Sequence, residues 1–154
     1  MPDEFYLIDE FAKKLNKNDM TSLKELCSNK LQFFNPLYGY LKSEQVHMFW
    51  ELQKANGVKI NELGRPNDLG DGYYKLSGKL TFLSIHNTSN SIPVQLHIRI
   101  ENEKITEYSE AFSLHKMAQI HSPFLGWLLG WNKYYQNRMK IKARKRLFDL
   151  MKEE

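Results

Sequence analysis

The sequence predicts an α+β fold, with three helices followed by a long antiparallel meander and a C-terminal helical extension. Three observations carry this. Apolar residues recur at helical spacing up to Asn56-Gly57. From Val58 the period changes to two and holds to about residue 113. The 154 residues suit one domain, and 42% hydrophobic with 26% charged residues excludes a disordered chain or a fibre.

The elements follow in order. Asp3 is placed to cap a first helix carrying Leu7, Ile8, Phe11 and Leu15. Asp19 caps a second helix with Met20, Leu23, Leu26 and Cys27 inward. Residues 31–35 read as a strand ended by Asn35-Pro36 and Gly39. Ser43 then caps a third helix whose stripe is Val46, Phe49, Trp50 and Gln53. A short strand holds Val58 and Ile60 and closes at Gly64-Arg65-Pro66. Asp71-Gly72 opens a long strand to about His86, and residues 87–90 read as a turn. Val94, Leu96, Ile98 and Ile100 alternate with Gln95, His97, Arg99 and Glu101, a half-buried strand. The last strand runs over 104–113. Residues 114–120 make a helical turn, and a final helix spans about 132–152.

Charge divides the chain. Residues 1–115 hold 13 basic and 15 acidic side chains, a net of −2, while 116–154 hold 9 and 3, a net of +6. Seven cations and no acid fall in 132–147. Such a block suits an anionic surface, or serves as the solvated face of a docked helix. The apolar run 123–131 holds nine residues, far short of the roughly 20 of a membrane span. It is expected to pack on the domain before serving any surface. The acidic start lacks a secretory pattern, and the expected location is cytoplasmic. A single cysteine, Cys27, excludes an internal disulfide and CxxC chemistry. The five histidines form no HxH or HExxH, and there is no P-loop, GxGxxG or GxSxG. No metal, cofactor or nucleic-acid partner is expected.

The order of several short strings resembles the nuclear transport factor 2-like superfamily, which includes ketosteroid isomerase, limonene epoxide hydrolase and the SnoaL-like polyketide cyclases. The strings are Leu15-Asn16-Lys17-Asn18-Asp19, Phe34-Asn35-Pro36 with Gly39, Ile98-Arg99-Ile100-Glu101-Asn102-Glu103-Lys104-Ile105, and Glu107-Tyr108-Ser109-Glu110-Ala111-Phe112. The resemblance covers about residues 3–115. It implies a cone, in which a curved sheet and its helices close over an apolar pocket, with homodimers formed through the sheet. The domain is therefore placed at 1–115, with 116–154 as an apolar-then-basic extension packed on it.

The family's chemistry transfers poorly. At the isomerase's base, Tyr and acid positions stand Asn35, Phe11 and Leu96; an amide abstracts no proton, and neither Phe nor Leu donates. At the epoxide hydrolase's positions stand Glu110, Lys79, Thr81, Phe33 and Asn35. Lys lacks the two-pronged guanidinium, and the second acid is gone. Whether the protein is an enzyme is left open.

Face assignment turns on two hairpins. A turn at 87–90 pairs Thr81 with Leu96, Lys79 with Ile98 and Leu83 with Val94. A two-residue turn at Asn102-Glu103 sets Glu110 beside Gln95, on the far face, whereas a three-residue loop 101–103 pairs it with Val94. The resemblance favours the latter. The expected pocket then has walls of Phe33, Leu83, Val94, Leu96, Ile98, Tyr108 and Phe112, with Asn35, Lys79, Thr81 and Glu110 as polar handles. Glu110 is the candidate catalytic acid/base, an ion-pair partner of Lys79, or a sheet-edge carboxylate. Asn35 is a pocket amide or a strand terminator. Leu80 and Phe82 are assigned to the opposite, dimer-forming face.

Three functions follow from this reading: a domain binding a small apolar or amphipathic molecule, a SnoaL-like hydrolase, isomerase or cyclase using Glu110, or a peripheral module whose basic helix meets an anionic membrane.

Overall fold

The computed structural model describes residues 4–17, 19–83, 88–121 and 133–152. Asp3, His86, Asn87 and the apolar run 123–131 lie outside them. The order is α1 (Glu4–Lys17), α2 (Met20–Leu26), β1 (Cys27–Asn35), β2 (Gly39–Lys42), α3 (Ser43–Ala55), β3 (Lys59–Asn61), β4 (Asn67–Gly70), β5 (Tyr73–Leu83), β6 (Ser89–Glu101), β7 (Lys104–Ala111), α4 (Leu114–His121) and α5 (Lys133–Lys152). Among the described residues no helix is long and apolar enough to cross a membrane.

The strands form one seven-stranded sheet in the order β2-β1-β7-β6-β5-β3, with β4 also on β5. The sheet is not wholly antiparallel, since β1 runs parallel to β7. Strands β2 and β4 were not foreseen: each has four residues, too few for a period to register.

Local chemistry explains the helix boundaries. Asp19 accepts from Ser22 N at 3.3 Å and starts α2. Cys27, expected on that helix, instead begins β1 and is buried there. Helix α3 starts at Ser43, but Ser43 is not its cap. The Gln45 side chain accepts from Lys42 N–H at 2.8 Å instead.

One core joins the layers. Ile8, Phe11 and Leu15 of α1, Leu23 of α2, and Val46, Phe49 and Trp50 of α3 pack on Phe33, Leu76, Leu80, Val94, Leu96, Ile98 and Tyr108 of the sheet. Leu147 of α5 is fully buried in the same core. Arg144 on the same helix donates to the carbonyls of Tyr38 and Tyr40. Gly39, at φ +76°, lets it approach, because a Cβ there would sit 2.8 Å from the guanidinium.

Two registers differ from expectation. In the β5–β6 hairpin Leu83 pairs with Ser89, Leu80 with Ile92 and Leu76 with Leu96. Ser89 and Asn90 therefore belong to β6 and not to a turn. The shift from the expected pairing is odd, so β5 is turned over. Tyr74, Leu76, Leu80 and Phe82 face the core, while Lys79, Thr81 and Leu83 face outward. The chain's own alternation decides this, because the expected register would have buried Lys79 and exposed Leu80 and Phe82. Leu80 and Phe82 thus need no partner to cover them.

The β6–β7 turn is the two-residue form. Asn102 and Glu103 both have positive φ, +50° and +64°, and Glu101 pairs with Lys104. Taken alone it would put Glu110 on the outer face. A bulge reverses this: Ile100 pairs with Ile105 but Arg99 with Glu107, leaving Thr106 unmatched. The Thr106 hydroxyl donates to Arg99 O at 3.4 Å. Beyond the bulge Tyr108 faces Ile98 and Glu110 faces Leu96, both on the core side.

Leu147→Ala should lower the unfolding free energy by about 2–5 kcal/mol, the usual cost of truncating a buried leucine. Urea unfolding measures it. No loss would show that α5 is not part of the cooperative core.

Candidate functional site

The polar centre of the core is the Glu110 carboxyl, 3% exposed, with Asn35 at 1% beside it. Asn35 ends β1 and makes an Asx turn, in which its Oδ1 accepts from Leu37 N at 2.8 Å and Tyr38 N at 3.1 Å. Those bonds fix the amide's orientation, and its Nδ2 donates to Glu110 Oε1 at 2.6 Å. The Tyr108 hydroxyl donates to the other oxygen, Oε2, at 2.7 Å. Each carboxyl oxygen thus has one protein donor and one acceptor site left.

Burial pushes the Glu110 carboxyl above the ordinary 4.5, and the bonds from Tyr108 and Asn35 oppose the shift without cancelling it. Burial and the neighbouring carboxyl raise Tyr108 well above its usual value, so it stays an O–H donor. Among the described residues no salt bridge involves Glu110. The site is a lone buried acid held by two neutral donors.

Aromatic side chains close around it. Tyr108 meets Phe11 edge-on at 5.1 Å between centroids and Phe33 at 5.5 Å. Phe49 lies 4.8 Å from Phe33 and 5.0 Å from Tyr38. A cavity of about 20 Å³ reaches it, lined by Leu15, Phe49, Trp50, Gln53, Val58, Lys59, Ile60, Leu80 and Glu110. That holds about one water-sized group. Exposed Lys59 and half-buried Gln53 and Val58 mark its outer end, between the end of α3 and β3. Trp50 is 2% exposed, and its buried Nε1–H has no hydrogen-bond partner among the described residues.

The structure brings together Phe33, Asn35, Val94, Leu96, Ile98, Tyr108 and Glu110 on the core face, with Phe112 half-buried against the same core. It does not bring Lys79, Thr81 or Leu83 there. Lys79 is half exposed and pairs with Glu62 at 3.0 Å, so no Lys79–Glu110 pair exists. The Thr81 hydroxyl is 3.5 Å from the Asn61 side-chain oxygen, and Leu83 is 43% exposed. Trp50 and Gln53 were not foreseen as cavity residues. Their signal was Gln53 itself, a polar residue on an otherwise apolar stripe of α3. A larger hollow of about 650 Å³ lies elsewhere, among Glu4, Tyr6, Leu7, Leu26 and Ile100. It contains none of the expected site residues.

No protein-family model matches the chain, and no curated protein matches its sequence. Solved structures do match. A hypothetical protein of ketosteroid isomerase-like fold from Catenulispora acidiphila, in complex with trimethylamine, is 15% identical at TM-score 0.64, covering 75% of this chain and 91% of its own. A candidate polyketide cyclase from Xanthomonas campestris is 7% identical at TM-score 0.69, covering 77% and 96%. A nuclear transport factor 2-like protein of unknown function from Burkholderia pseudomallei is 11% identical at TM-score 0.66, covering 79% and 99%. The chain has the nuclear transport factor 2-like fold.

The folded protein holds the Glu110 proton more tightly than the unfolded chain. Its contribution to stability is therefore full below about pH 4.5 and is lost as pH rises through the folded midpoint. Relative to Glu110→Gln, the wild type should lose stability over that rise in urea unfolding at stepped pH. A difference that stays flat, or grows with pH, would contradict the assignment.

Proposed function

We propose that this protein is a small-molecule-binding domain whose ligand places a hydrogen-bond donor against Glu110. The observation that carries this reading is a buried carboxyl that has no salt bridge among the described residues and lines a small cavity. Leu15, Phe49, Trp50, Ile60 and Leu80 supply apolar walls, and Glu110 supplies the orienting polar group. Because the cavity holds about one water-sized group, only the N–H or O–H end of a compact amine or alcohol would reach Glu110, with the rest of the molecule at the outer end beside Gln53 and Lys59. The Catenulispora acidiphila neighbour holds trimethylamine, a compact amine. A homodimer through the outer sheet face belongs to this reading and would rest on a polar surface bearing Lys75, His97 and Arg99, with Tyr73 and Leu83 as its exposed apolar groups. Proton transfer by Glu110 is the second reading, favoured by the upward shift of its carboxyl.

Titration with trimethylammonium and with 2-propanol, followed by NMR of the Trp50 indole N–H and the Ile60 and Leu80 methyls, tests the proposal. Saturable shifts at these groups, lost in Glu110→Gln, are expected. Shifts confined to Tyr6 and Leu26 at the larger hollow, or none at all, would refute it.

A further inference from the structure

The outward face of α5 has no role in the interior site. At about 100° per residue, the buried and half-buried Ala143, Leu147, Leu150 and Met151 lie on one side of the helix. Tyr134, Arg138, Ile141, Lys142 and Lys145 fall within an arc of about 100° on the opposite side. All five are exposed, Tyr134 by 71% and Ile141 by 66%. The helix's other arginines are partly committed to docking, Arg144 to the Tyr38 and Tyr40 carbonyls and Arg146 to Asn56 Oδ1 at 3.4 Å. Among the described residues, Arg138, Lys142 and Lys145 form no salt bridge.

We infer that this face of α5 is a docking surface for an anionic lipid bilayer. Three cations in one arc supply the attraction to anionic headgroups. Tyr134 and Ile141 project among them and can enter the headgroup layer, a combination suited to an interfacial helix. A purely phosphate-reading surface gains nothing from an exposed isoleucine, which favours a bilayer over a nucleic acid. Charge sets the orientation: residues 1–115 carry −2 and would be turned away, so only the α5 side approaches. The buried side of the helix stays in the core, so binding requires no unfolding.

Co-sedimentation of the full chain with vesicles tests this. Phosphatidylcholine vesicles and vesicles with about a third phosphatidylglycerol are compared at about 50 and 500 mM salt. The expected result is binding to the anionic vesicles alone, weakened roughly tenfold or more at high salt. Arg138→Glu with Lys142→Glu and Lys145→Glu should abolish it at an unchanged melting temperature. Should that variant not fold, Lys142→Glu alone should weaken it several-fold. Ile141→Ser should weaken binding while leaving its salt dependence. The inference is overturned by absent binding, by equal binding to neutral vesicles, by charge-reversed protein that still binds, or by duplex DNA that displaces the protein from the vesicles.

Discussion

Thr106 has no opposite number on β6, and that one unmatched residue turns Tyr108 and Glu110 from the outer side of the sheet to its core side. The side-chain period of a strand is two, so an extra residue exchanges the two faces beyond it. Without the bulge, continuing the alternation from buried Ile105 would carry Glu107 and Ser109 inward and send Tyr108 and Glu110 to solvent. Most of the interior follows from this. Tyr108 is the aromatic on which Phe11, Phe33 and Trp50 converge, and its hydroxyl holds one oxygen of Glu110.

A buried carboxyl is costly unless its oxygens are satisfied. Here the second donor comes from the other side of the parallel β1–β7 pair. The Asx turn after β1 locks the Asn35 amide with its NH₂ toward Glu110. The turn that ends β1 and the polar centre of the core are therefore the same residue. Removing the carboxyl would leave two buried donors unpaired, each at a cost of about 1–3 kcal/mol. Because both donors are neutral, desolvation outweighs them and the proton stays more tightly bound than in water. A cation at the same place would have reversed that balance. The aromatic ring of side chains then limits what can share the space with Glu110 to something compact.

Much of the architecture was legible in the chain. The helical stripes of α1 and α3 and the strict alternation of β6 announce themselves because each buries a single face over many residues. Asn35 and Glu110 were singled out, yet their meeting depends on a bulge that leaves no composition signal, since Thr106 is an ordinary strand residue. The resemblance favoured the longer loop, and Glu103 gave no signal for the two-residue turn, because Glu is unusual at the positive φ that turn requires. Lys79 and Thr81 were drawn inward by correspondence with relatives of other chemistry, while the alternation of Tyr74, Leu76, Leu80 and Phe82 already pointed them outward. Where the two signals conflict, the burial pattern of the chain itself prevails, because an unpaired interior lysine costs more than any resemblance implies.

The central claim is that Glu110 is a desolvated acid restrained by Tyr108. The most direct measurement is a carboxyl ¹³C NMR titration of Glu110 in the wild type and in Tyr108→Phe. The account predicts a wild-type midpoint above 4.5 and a higher one in the variant, since the lost hydroxyl is one of the two groups favouring the ionised form. A wild-type midpoint at or below 4.5, or one that Tyr108→Phe leaves unmoved, would contradict it.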